Sequence, residues 1–134
     1  MEMGNLLFDS FALLRFFQKE PGGEKVRNLL REAAARQIPR LVNAINVGEI
    51  IYLTQRRFGE TKKLEIFVHL HSLGLTILPC PNELIFRAAE LKAEFPISYA
   101  DAFALASAIE QEAALVTGDP EFRKVEHLVD IVWV

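Results

Sequence analysis

The chain has 134 residues, of which 51% are hydrophobic and 25% charged, and its formal net charge is −3. This length suits one domain, residues 1–134, and the balance is that of an ordinary globular protein. Nucleic-acid-binding domains are usually basic, so the bulk charge does not point to that class. A single cysteine, Cys80, excludes an internal disulfide and a cysteine-rich zinc site, and it favours a reducing compartment.

The N-terminal stretch Met1–Asn5 has neither a basic segment nor a long apolar one, so no signal peptide is predicted. No apolar run approaches the ~20 residues that a membrane-spanning helix needs. We therefore expect a cytoplasmic protein without a membrane association.

Short apolar runs alternate with segments of helical periodicity along the whole chain. In chain order we predict a strand at Leu6–Phe8, helices at 12–17 and Glu24–Arg36, a strand at Arg40–Asn43, helices at Asn46–Phe58 and Thr61–Leu73, a strand at Leu75–Leu78, a helix from its N-cap Asn82 to about Glu94, a helix at Asp101–Glu112, and strands at Ala114–Thr117 and Ile131–Val134. Continuously apolar strands separated by helices indicate an α/β fold, with a mostly parallel sheet covered on both faces.

Three of the four aspartates fall at the boundaries of these elements. Asp9 ends the first strand, Asp119 follows the strand at 114–117, and Asp101 opens the preceding helix. Because ligands of open α/β sheets bind beyond the carboxyl ends of the strands, these residues indicate a site at one edge of the sheet. Each also has a simpler interpretation, as a helix N-cap for Asp9 and Asp101 and as a turn residue before Pro120 for Asp119.

Glu49 is the fourth candidate, because its predicted helix is apolar on nearly all sides. A buried carboxylate without a partner is costly, so it needs a counter-charge or a metal. Arg56 and Arg57 are the nearest cations, but neither lies three or four residues from Glu49. Partial solvation of this side chain is the alternative.

Grouped carboxylates repel one another unless cations neutralise them. Their hard oxygen atoms suit Mg²⁺ or Mn²⁺, and such a site fits metal-assisted hydrolysis of phosphodiesters by one or two ions. His69 and His71 are poor candidates for metal ligands, because residues two apart on a helix point to nearly opposite sides.

Four segments, in order along essentially the whole chain, resemble the motifs of PIN domains. They are Leu6–Ser10, Gly48–Ile50, Ser98–Ala108 and Leu115–Phe122. The last two are the more specific. The resemblance implies a PIN-like three-layer sandwich in which Asp9, Glu49, Asp101 and Asp119 are the catalytic, metal-binding acids. Ser10 and Thr117 would be supporting polar groups.

The short length resembles the VapC-type toxins, which implies a metal-dependent endoribonuclease acting on RNA. It further implies a small antitoxin partner and a homodimer. RNA phosphates would be contacted by cations, for which Arg15, Arg40 and Arg56 are candidates. Divalent ions would offset the acidic net charge at the cleft.

The chain departs from the family pattern at three positions near these acids. Phe11 stands where a small polar residue is common, and Asn43 and Asn46 stand where serine or threonine is often found. None of these changes removes an expected metal ligand.

Two alternatives within the same fold stay open: an inactive interaction module and a nuclease of RNA processing. A signalling receiver domain, which also has an acidic Mg²⁺ pocket, is disfavoured. It requires an acceptor aspartate at the end of the middle strand, where this chain has Pro79-Cys80-Pro81.

Overall fold

The computed structural model describes residues 4–134. Residues 1–3, part of the stretch in which no signal peptide is predicted, lie outside the described residues. The elements are β1 (Leu6–Phe8), α1 (Ser10–Phe17), α2 (Gly23–Ala35), β2 (Arg40–Asn43), α3 (Ala44–Phe58), α4 (Glu60–Ser72), β3 (Thr76–Leu78), α5 (Asn82–Glu94), α6 (Tyr99–Glu110), β4 (Ala114–Thr117), a 3-10 helix (Pro120–Val125) and β5 (Ile131–Trp133).

The five strands form one sheet in the order β3-β2-β1-β4-β5, and all four pairings are parallel. The chain begins in the centre with β1, moves outward to β3, and then crosses back to add β4 and β5 on the other side. The path therefore reverses between β1 and β4, which is where open α/β sheets usually bind ligands. The predicted parallel α/β architecture is confirmed.

Each face of the sheet is covered by its own apolar core, because successive strand residues point to opposite faces. One core contains Leu7, Leu41 and Leu115, and α5 and α6 pack on it. The other contains Phe8, Val42 and Val116, and it is covered by helices from α1 to α4. The result is a three-layer sandwich. Within residues 4–134, no helix is long and apolar enough to cross a membrane.

Several helices begin earlier than the sequence predicts, because the capping residue lies further upstream. The Asn43 side chain accepts a hydrogen bond from the Ile45 amide at 2.8 Å, so α3 starts at Ala44. Ser98 Oγ accepts one from the Asp101 amide at 3.1 Å, so α6 starts at Tyr99. The assignment of Asp101 as the opening residue of its helix is therefore wrong, and the residue lies within the first turn.

Two further expectations are corrected. Pro81 occupies the N-cap position of α5, and Asn82 is the first helical residue rather than the cap. The 3-10 helix after Asp119 was predicted only as a turn, because such short helices have no apolar periodicity of their own. Gly74 closes α4 as predicted, and its φ of 70° explains why glycine suits that position.

Candidate functional site

Asp9 lies at the carboxyl end of β1 and is 1% exposed. Its Oδ1 accepts a hydrogen bond from the Ala12 amide at 2.7 Å, so the residue caps α1, as its simpler interpretation predicted. Its Oδ2 accepts a second hydrogen bond, 2.5 Å long, from Thr117 Oγ1. A capping role occupies only one carboxylate oxygen, and the other faces the end of β4.

Thr117 connects Asp9 to Asp119 across the point where the chain path reverses. Its hydroxyl donates to Asp9 and also accepts a hydrogen bond from the Asp119 amide at 3.0 Å. Asp119 in turn caps the 3-10 helix, since its Oδ1 accepts from the Glu121 amide at 2.9 Å. The turn after β4 thus holds Asp119 beside the buried carboxyl of Asp9.

Phe11 and Gly118 pack tightly beside this turn. A Cβ atom at position 118 would lie only 2.7 Å from Phe11 Cε1 and 2.8 Å from the Val134 carbonyl oxygen. The absence of a side chain at Gly118 therefore makes room for the Phe11 ring.

Glu49 is half-buried on α3, and two polar side chains bind the same carboxylate oxygen. Ser10 Oγ donates to Oε1 at 2.8 Å, and Asn46 Nδ2 donates to it at 3.0 Å. Asn46 Nδ2 also lies 3.3 Å from the carbonyl oxygen of Ala100, the residue before Asp101. Hydrogen bonds thus connect Glu49 to the segments that carry Asp9 and Asp101.

The electrostatics of the site show that the acids are close enough to influence one another. Burial raises the pKa of Asp9 from 3.8 to about 7, and the negative charges of Asp101 and Asp119 add to this effect. Hydrogen bonds from Thr117 and the Ala12 amide oppose it. Burial also raises the pKa of Asp101 to about 6, together with the charges of Asp119, Glu49 and Glu121, against a hydrogen bond to Ser98.

Within residues 4–134, no cationic side chain is paired with these acids. In the part of the chain that the structure describes, no lysine, arginine or histidine forms an ion pair with Asp9, Glu49, Asp101 or Asp119. Nor do three or more Asp, Glu, His or Cys side chains of residues 4–134 converge into a ready-made metal cage. The edge therefore offers hard oxygen donors that lack a counter-charge, which is the donor chemistry that Mg²⁺ and Mn²⁺ favour.

The predicted phosphate-binding arginines do not lie together. Arg15 lies over the Phe11 ring at 4.7 Å, and Arg56, about two turns beyond Glu49 on α3, lies over the Tyr52 ring at 5.3 Å. Arg40 begins β2, opposite Leu6, at the amino ends of the strands. The structure therefore separates Arg40 from the acidic edge, because parallel strands put their amino ends on the opposite side of the sheet.

His69 and His71 both pack against aromatic rings. His69 packs on Phe16 and Phe17, with ring centroids 5.7 and 5.4 Å apart, and His71 packs on Phe67 at 5.0 Å. Two contributors to the acidic edge were not predicted from the sequence. One is Asn46, whose side-chain amide donates a hydrogen bond to Glu49, a contact that their spacing of three residues on a helix could have suggested. The other is Glu121, which is paired with Lys124 at 2.6 Å.

The comparisons with known proteins agree on one fold. The profile of the PIN domain matches residues 6–128. The structure is similar to VapBC2 of Rickettsia felis bound to a DNA fragment from its promoter, with a TM-score of 0.78, 20% identity, and coverage of 96% of this chain and 98% of that one.

Two further solved structures are similar to the chain. DNA-bound VapBC of Salmonella typhimurium has a TM-score of 0.78 and 18% identity, over 97% of this chain and 98% of that one. VapC20 of Mycobacterium tuberculosis, described as a toxin that cleaves the sarcin-ricin loop, has a TM-score of 0.73 and 16% identity, over 90% and 95% of the two chains. Identities this low establish the fold alone. No curated protein sequence matches the chain.

The pKa of Asp9 predicts how the stability of the metal-free protein depends on pH. Between about pH 4 and 7 the unfolded chain releases a proton that folded Asp9 retains, so the free energy of unfolding falls by up to roughly 4 kcal/mol as pH rises. Asp9→Asn has no proton to release, so its stability should change less over this range. Urea unfolding in EDTA measures both proteins, and an identical pH dependence would show that the Asp9 carboxyl ionises normally.

Proposed function

Because the chain belongs to the PIN-domain family, we propose that it is a metal-dependent endoribonuclease and the toxin component of a type II toxin–antitoxin pair. One observation carries the proposal. Asp9 and Asp101 are carboxyls with raised pKa values, and they lie beside Asp119 and Glu49 without an ion pair to any cationic side chain of residues 4–134. Keeping like charges together in this way is unfavourable for folding alone, and a divalent cation removes the penalty.

The residues of the acidic edge fit the Mg²⁺ or Mn²⁺ that this function requires. Asp9, Glu49, Asp101 and Asp119 would hold one or two ions. When bound, such ions activate water and stabilise the charge that develops on the phosphate. Thr117 and the Ala12 amide orient Asp9, while Ser10 and Asn46 orient Glu49. The hydroxyls of Ser10 and Thr117 donate to carboxylates, so they act as orienting groups rather than as nucleophiles.

RNA is the proposed substrate, and two arginine–aromatic pairs lie on α1 and α3, the helices that contain Ser10 and Glu49. Arg15 with Phe11 lies beside the turn after β4, and Arg56 with Tyr52 lies beyond Glu49. Guanidinium groups bind phosphates and so orient an RNA without reading its sequence. Arg40 is not part of this proposal, because it lies at the amino ends of the strands.

Exchange of single aspartates tests the catalytic assignment. Asp101→Asn should reduce metal-dependent RNA cleavage by orders of magnitude, because it removes a negative ligand without changing the size of the side chain. Asp130→Asn is the matched control, since Asp130 is exposed and its carbonyl binds the Leu115 amide near the amino end of β4. Cleavage of structured RNAs with Mn²⁺ and with EDTA measures the effect.

The outcomes of this assay also separate the alternatives. Cleavage that EDTA abolishes, that Asp101→Asn loses and that Asp130→Asn retains supports the proposal. Full activity of Asp101→Asn would exclude the site. A folded chain that neither cleaves RNA nor binds Mn²⁺ would be an interaction module, the alternative that the family leaves open.

The arginines are tested by binding rather than by cleavage. In an Asp101→Asn background, Arg15→Ala and Arg56→Ala should each weaken RNA binding. Each should also reduce the slope of log affinity against log salt concentration by about one, the value for the loss of one phosphate contact. Arg36→Ala is the control, because Arg36 follows α2 near the amino ends of the strands and pairs with Glu32. Equal losses in all three variants would indicate a diffuse charge effect instead of a binding path.

A small antitoxin and a second copy of the chain are the proposed protein partners. The similar structures from Rickettsia felis and Salmonella typhimurium are described as VapBC bound to DNA. The outward side of α4 here exposes Leu64, Phe67 and Val68, at 56, 43 and 68% of their surfaces, which suits burial against another protein. When the protein is expressed from its native locus, a small DNA-binding protein should therefore co-purify with it.

The isolated chain should sediment at twice its monomer mass, and a strict monomer would contradict the homodimer.

A further inference from the structure

Asn46 is a buried amide that joins two of the elements carrying the acidic residues. Its side chain is 0% exposed. Nδ2 donates to Glu49 Oε1 at 3.0 Å and to the Ala100 carbonyl oxygen at 3.3 Å. Because Ala100 precedes Asp101 in the first turn of α6, one amide group connects the acid of α3 to the backbone next to the acid of α6.

The orientation of this amide is fixed by its partners. Both groups that it meets on the Nδ2 side are acceptors, so the nitrogen must face them. Its Oδ1 is buried, and within residues 4–134 it has no hydrogen-bond partner. A buried acceptor without a partner destabilises the folded state, so stability alone does not explain an asparagine here.

The contacts of Asn46 and Ser10 also determine which oxygen of Glu49 is free. Both side chains donate to Oε1, from α3 and from the start of α1 respectively. Two donors on one oxygen fix the rotation of the carboxylate and leave the lone pairs of Oε2 for another ligand. The donors are neutral, so they orient Glu49 without adding charge to the cluster.

We propose that Asn46 is a positioning residue of the metal centre, which holds Glu49 in the orientation that binds the cation and ties it to the segment of Asp101. The proposal rests on the proposed function, because it concerns the same acidic edge. It assigns a specific task to a residue at which the chain departs from the serine or threonine often found in the family. Groups that orient metal ligands typically change metal affinity by 10–100-fold when removed.

Asn43 offers a matched control, three residues earlier. It is equally buried and caps the same helix. Its Nδ2 donates to Ser107 Oγ at 2.9 Å, and its Oδ1 accepts from the Ile45 amide and from Cys80 Sγ. None of these partners is one of the acids. Loss of the Asn43 side chain therefore disturbs the helix cap and the core, but it removes no hydrogen bond of Glu49.

The experiment measures Mn²⁺ binding to the full chain by calorimetry, together with the thermal unfolding midpoint in EDTA. Asn46→Ala should raise the Kd for Mn²⁺ about tenfold. Asn43→Ala should lower the unfolding midpoint yet leave the Kd unchanged. If both variants change the Kd equally, or neither does, the positioning role is excluded.

A double-mutant cycle tests whether Asn46 acts through Glu49. In a Glu49→Ala background, Asn46→Ala should change the Kd much less than in the parent protein, because the ligand that it orients is gone and only its contact with the Ala100 carbonyl remains. The same fold-change in both backgrounds would overturn the proposal, even if the parent protein binds Mn²⁺ tightly. A parent protein that binds no Mn²⁺ would instead overturn the metal centre itself, so the two failures are distinguishable.

Discussion

The hydrogen bond from Thr117 to Asp9 crosses the junction between β4 and β1, and the geometry of the acidic edge depends on it. Parallel pairing puts Phe8 beside Val116, so the residues that follow them, Asp9 and Thr117, also lie side by side. Asp9 then meets the last residue of β4 rather than solvent. The same hydroxyl accepts from the Asp119 amide, which directs the following turn. One threonine therefore fixes the position of one acid and the backbone of another.

Burial of Asp9 is possible because the two cores of the sheet are apolar and complete on either side of it. Leu7 and Phe8, both 0% exposed, anchor β1 in opposite layers immediately before the aspartate. Packing of these apolar layers compensates for the cost of burying the Asp9 carboxyl, whose pKa is raised to about 7. The buried acids are electrostatically unfavourable, whereas the packing and pattern of the remaining fold agree with each other. This combination is typical of a functional site.

Family membership and function have separate foundations in this protein. The fold matches solved structures at 16–20% identity, a level at which one architecture supports different activities. The proposed nuclease activity depends instead on the acidic edge, where Asp9, Glu49, Asp101 and Asp119 are connected through neutral donors. The two buried asparagines of α3 illustrate the distinction, since Asn43 binds Ser107 and Cys80 while Asn46 binds an acid.

The strands Arg40–Asn43 and Ala114–Thr117 and the parallel sheet could be predicted from the sequence, and so could the candidate acids, because apolar runs and their flanking residues are local signals. The predicted start of α6 was wrong, because Ser98 and Asp101 are both residues that cap helices and lie only three positions apart. Ser98 is the cap in the structure. The pairing of β1 with β4 and the contacts of Asn46 with both Glu49 and Ala100 become apparent only in the folded chain. These relations depend on which distant segments pair and pack, and no periodicity within a single segment encodes that choice.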